Sequence, residues 1–214
     1  MAELGLYEGL ALLQRRAGRA RVAIYAFAAT FSLMAACEAA RAAGIIDLDV
    51  PGPVLLPAVG VYLSSSVAYL TSVVFIAMWL YRAHANLVAA GVDGLEFSPG
   101  WSVGWYFIPI ANLFKPFQAM RELWTNSHNI ADGFGAEAPH QLSLWWGTFI
   151  VGNMLTNMSS RFDNREGASA NQVGAMLDLL GALTIVACSI FLLRIIRDVT
   201  GAQQSIVGLS KTFA

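Results

Sequence analysis

The chain has 214 residues, 57% hydrophobic and only 13% charged, with a formal net charge of −1 and a mean hydropathy of +0.57. Soluble domains carry about 25% charged residues, so an ordinary soluble protein is excluded. The near-neutral balance, with no long basic run, also excludes a nucleic-acid surface. The few charges gather at the ends of apolar runs. This is the layout of an all-α polytopic membrane bundle, read here as one integral membrane domain over residues 1–214 with the lipid bilayer as its partner.

In chain order, Leu4, Tyr7, Leu10 and Leu13 fall at helical spacing and predict a short juxtamembrane helix lying at the surface over residues 1–18. Arg15, Arg16, Arg19 and Arg21 then precede a first span over about 22–43, whose Ala26, Ala29, Ala36 and Ala40 would admit a close neighbour. Glu38 and Arg41, three residues apart, predict a local ion pair. After a loop with Asp47 and Asp49, a second span covers about 54–81. Trp79 and Tyr81 mark its far interface, and Arg82 is placed as a snorkelling anchor. Beyond Gly91 and Gly94, Ser98 is expected to cap a new helix that has Pro99 at its first position.

The stretch 98–124 is unlike the others. Its apolar core, Trp101 to Phe114, has 14 residues, whereas crossing about 30 Å of hydrocarbon takes about 20 in a helix. Pro109 and Pro116 each remove a backbone donor inside it. A polar loop leads to a span over about 142–158, where Asn153, Thr156, Asn157 and Ser160 are expected to face inward. A charged loop with Arg161, Asp163, Arg165 and Glu166 follows. The last span, about 173–193, carries Asp178 and is closed by Arg194 and Arg197.

Charge decides between two topologies. If 98–124 enters and returns on the N-terminal side, ten basic residues share that side: Arg15, Arg16, Arg19, Arg21, Arg82, Lys115, Arg121, Arg194, Arg197 and Lys211. Arg41, Arg161 and Arg165 are then opposite, a split of 10 to 3; a crossing segment gives 7 to 6. Positive residues accumulate in the cytoplasm, so the expectation is four transmembrane helices, both termini cytoplasmic, and a proline-broken re-entrant or interfacial central segment.

No cofactor or metal is expected. Cys37 and Cys188 lie in apolar runs, far from any Cys/His pairing, and read as small apolar fillers. Met34-Ala35-Ala36-Cys37 loosely resembles a lipoprotein cleavage site, but Met34 suits that position poorly and several spans follow.

The series Tyr81-Arg82-Ala83-His84-Ala85-Asn86-Leu87, Phe97-Ser98-Pro99-Gly100-Trp101, Gly104-Trp105, Phe107-Ile108-Pro109, Asn112-Leu113, Pro116 and Glu122-Leu123-Trp124 resembles the bacterial membrane family catalogued as domain of unknown function 4328. The resemblance is strongest over residues 80–125 and implies a multi-pass protein of the bacterial cytoplasmic (inner) membrane, with no activity attached.

Three functions compete. A non-enzymatic module, whether scaffold, accessory subunit or homo-oligomer, fits every feature. A channel or carrier would line its path with Asn112, Asn153, Asn157 and Asp178 and select an anion with Lys115 or Arg82. A membrane enzyme has the least support: His84, His128 and His140 fall at span ends or in loops, and no metalloprotease, nucleophile-elbow or phosphate-loop motif occurs. The one grouping that resembles a polar site is His84 beside Arg82 and Asn86, facing Lys115 and Glu122. Its simplest role is an anchor for lipid headgroups that pairs the central segment with span two.

Overall fold

Proline and glycine positions account for most of the breaks in the computed structural model, which describes residues 5–48, 51–133, 135–163 and 168–212. Leu4, Asp49, Arg165 and Glu166 lie outside these residues. The described residues form six α-helices and contain no strand. The helices are α1 (Leu6–Ala42), α2 (Leu55–Ala89), α3 (Pro99–Gly104), α4 (Lys115–Asp132), α5 (His140–Asp163) and α6 (Ala168–Thr212).

The juxtamembrane stretch and the first span are one helix, α1, rather than two elements. The only glycine between Arg15 and Val22 is Gly18, and a single glycine costs roughly 1 kcal/mol in a helix interior, too little to stop it. Two helix ends are set by left-handed glycines, Gly44 (φ 67°) after α1 and Gly91 (φ 74°) after α2. At each, the next N–H reaches back five residues: Ile45 to the Ala40 carbonyl at 2.9 Å, and Val92 to Leu87 at 3.1 Å. This closes otherwise unpaired carbonyls at the helix end.

Ser98 caps α3 as expected, accepting from the Trp101 N–H with Pro99 in the first turn. The chain then breaks into two single 3-10 turns, Trp105–Phe107 and Ala111–Leu113. Between them Ile108 is extended (φ −102°, ψ 110°), as a residue before proline prefers. Pro116 falls in the first turn of α4, where its missing donor costs nothing.

Among the described residues three helices are long and apolar enough to cross a membrane: α1, α2 and the 34 residues Gln172–Ser205 of α6; α5, which holds the expected span 142–158, is not one of them. The 37 residues of α1 rise about 55 Å at 1.5 Å per residue, well beyond a hydrocarbon core of about 30 Å.

The chain divides into two compact units. The first comprises residues 1–22, 73–143 and 191–214. Its core follows helical periodicity: Leu10, Leu13, Ala17 and Ala20 of α1, Leu80, Ala83 and Leu87 of α2, Met120 and Leu123 of α4, Ile195, Ile196 and Val199 of α6. Leu10 and Leu13, expected on a helix lying at the membrane surface, are therefore buried within the protein.

The second unit comprises residues 23–72 and 144–190. Here Phe27 packs on Phe31 and Tyr69, with ring centroids 4.4 and 5.7 Å apart. Gly152 and Gly181 bring α5 and α6 close. A Cβ at Gly181 would lie 2.8 Å from the Thr156 hydroxyl and 3.3 Å from the Gly152 carbonyl. The Glu38–Arg41 pair forms as expected at 2.8 Å, and the buried Glu38 also accepts from the Tyr62 hydroxyl.

Candidate functional site

A chain of hydrogen bonds runs through the interior of the first unit. Arg82 donates Nε–H to Asn86 Oδ1 at 2.8 Å, one helical turn along α2. Asn86 donates Nδ2–H to Gln203 Oε1 at 3.1 Å. Gln203 in turn donates to the Ala83 carbonyl and to Ser127 Oγ, both at 3.0 Å. Arg82, Asn86, Ser127 and Gln203 are all buried, so α2, α4 and α6 are joined by a polar seam inside a largely apolar core. Such a network specifies register only while every member is paired.

Helix α1 closes over this seam at Gly9. A Cβ there would stand 2.4 Å from Asn86 Oδ1 and 2.8 Å from Arg82 Nη2, so only glycine fits without displacement. Further along α1, Arg16 donates Nη1–H to the Met78 carbonyl at 2.7 Å, and Gln204 reaches the Leu10 carbonyl at 2.8 Å.

Two expectations for α2 change. Trp79 is fully buried, not interfacial, and its indole N–H donates to Thr200 Oγ1 at 3.1 Å. Arg82 is only 7% exposed instead of snorkelling outward, because Asn86 and the approach of α1 hold its head inside the unit.

The remaining sequence-derived residues have defined places. His84 is completely buried, and its Nδ1 lies 3.1 Å from the Leu80 carbonyl. Glu122 accepts from the backbone N–H groups of Glu96 and Phe97 at 2.6 and 3.1 Å, fastening the turn that precedes α3 to α4. Lys115 pairs with Glu96 at 3.0 Å and lies 5.2 Å from the Phe97 ring centroid. Lys115 and Glu122 are thus linked through the Glu96–Phe97 turn, while Arg82, Asn86 and Gln203 form the buried seam. Asn112 belongs to the first unit, and its Oδ1 is buried without a partner.

In the second unit, Asp178 accepts from Ser159 Oγ at 2.6 Å. Asn153 and Asn157 are exposed, contrary to the inward stripe expected of them. Each donates to the carbonyl four residues back, Phe149 at 2.8 Å and Asn153 at 2.7 Å. The inward face of α5 is taken instead by Gly152 and Ser159, whose small size permits the close approach of α6.

Sequence reasoning missed Gly9, Ser127 and Gln203. A signal for Gln203 exists: it lies four and eight residues after Val199 and Ile195, hence on the buried face of α6. The described residues contain no group of three potential metal ligands. A cleft of about 390 Å³ lies between Phe117, Arg121 and Thr125 of α4 and the stretch 136–143, apart from the buried seam.

With described residues that form α-helices and no strand, three of those helices being of membrane-crossing length and apolarity, the chain belongs with the helical membrane proteins. Residues 56–201 match the family model Domain of unknown function (DUF4328), and the chain belongs to that family. No curated protein and no solved structure matches it.

Proposed function

We propose that this protein is a non-enzymatic module of the bacterial cytoplasmic membrane. In this reading α1, α2, α5 and α6 cross, both termini are cytoplasmic, and the proline-broken segment re-enters on the cytoplasmic side. The observation that carries it is the company the segment keeps. Residues 98–124 belong to the same compact unit as the arginine-rich N-terminal stretch and the end of α6, and that unit holds all ten basic residues assigned to one side by charge. The break also presents Phe107, Ile110 and Leu113, exposed at 75%, 76% and 57%, as a lipid-entering edge would.

The polar side chains favour a structural role over catalysis. Arg82, Asn86, Ser127 and Gln203 are engaged with one another, and Glu122 and Lys115 hold a turn. The exposed Asn153 and Asn157 on α5 suit a module that assembles with a second copy or another membrane helix.

The test is a single-cysteine variant at position 163 in a background lacking Cys37 and Cys188. An impermeant maleimide should label it from the periplasmic side. Labelling only from the cytoplasm would invert the second half of the topology.

A further inference from the structure

Arg82 and Arg16 both lie where α1 meets α2. Arg82 is buried, and Arg16 is half-buried, with its Nε buried and making no hydrogen bond. Arg16 reaches the Met78 carbonyl, one turn before Arg82 on α2, so two side chains of like charge meet α2 on neighbouring turns. Among the described residues, ion pairs form at Glu38–Arg41, Glu96–Lys115 and Arg197–Asp198, and none at Arg16 or Arg82. Neutral Asn86 and a backbone carbonyl are their hydrogen-bond partners.

Guanidinium groups do not lose their protons in proteins, so both charges persist. Two like charges withdrawn from water are costly unless a counter-charge meets them. We propose that the Arg16–Arg82 pair is a binding site for a phosphate-type oxyanion held where α1 meets α2. Paired guanidinium forks match the oxygens of a phosphate, which can accept from both at once. The exposed Arg15, Arg19 and Arg21 on the same helix raise the local anion concentration. This goes beyond the membrane-module reading and holds whether or not the central segment re-enters.

The phosphate can come from a lipid headgroup or from a soluble compound, and one experiment separates them. The full chain in neutral detergent is melted alone, with dioleoyl phosphatidylglycerol, with dioleoyl phosphatidylcholine, and with inorganic phosphate. An anion at about 100 times its Kd should raise Tm by roughly 5–10 °C. A rise with phosphatidylglycerol but not phosphatidylcholine assigns a lipid headgroup; a rise with inorganic phosphate assigns a soluble ligand. In either case Arg16→Gln should weaken binding about tenfold or more. Arg19→Gln, which removes an exposed arginine outside the pair, should leave it unchanged. Arg82→Gln also cuts the bond to Asn86 and can prevent folding, so Arg16→Gln is the deciding variant. The proposal is overturned if neither anion raises Tm, if phosphatidylcholine serves as well as phosphatidylglycerol, or if Arg16→Gln behaves like Arg19→Gln.

Discussion

A single methyl group at position 9 would reach the two side chains on which the first unit's polar interior depends. Gly9→Ala places its Cβ 2.4 Å from Asn86 Oδ1, and Asn86 is held on both sides by Arg82 and Gln203. Either α1 moves away or the network opens, at a cost of about 1–3 kcal/mol for overpacking. A lower melting temperature in detergent checks this, and an unchanged one would show that the seam adapts. Gln203→Leu has a comparable volume but leaves the Asn86 amide N–H without its acceptor and removes the donor to Ser127. Each buried group left unpaired costs about 1–3 kcal/mol, so this variant should melt lower than Gln204→Leu, whose group is only partly buried.

At the scale of elements, glycine spacing and one carboxylate govern which helices meet. Gly181→Val would drive branched carbons toward the Thr156 hydroxyl and the Gly152 backbone, so α5 and α6 must separate within the second unit. A loss of about 1–3 kcal/mol is expected, while Gly147→Ala, in open space on α5, should be neutral. Glu122 acts on a loop instead. Its two oxygens accept from Glu96 and Phe97 and fix the entry to α3. Hydrogen bonds to a charged acceptor contribute about 1.5–3 kcal/mol before solvent exposure reduces them. Glu122→Ala should therefore speed proteolysis within residues 90–98 more than it lowers the global melting temperature. Equal effects on both would show that the turn is not a local unit.

For the whole molecule, the telling feature is that basic residues and the broken segment belong to one compact unit. The proposed topology predicts that a cysteine at position 163 and one at position 93 react from opposite faces of the membrane. Assembly predicts a second outcome. A cysteine at position 157, on the exposed stripe of α5, should form an intermolecular disulfide in membranes, and one at position 152, on the buried face, should not. Crosslinking of both or of neither would remove the stripe as a contact.

The all-α class, three of the four expected spans and the break around Pro109 were legible in the residues themselves, as were the Ser98 cap and the Glu38–Arg41 pair. Each depends on composition or on neighbours within a few positions: hydrophobic run length, a missing N–H, a side chain three residues from its partner. The direction in which a polar side chain points did not follow from such information. Asn153 and Asn157 bond back to their own helix and leave the inner face to Gly152, while Trp79 and Arg82, placed at an interface by their chemistry, are drawn inside by Thr200, Asn86 and Gly9. Those partners lie up to 121 residues away along the chain, and helical periodicity identifies a face without saying what will cover it.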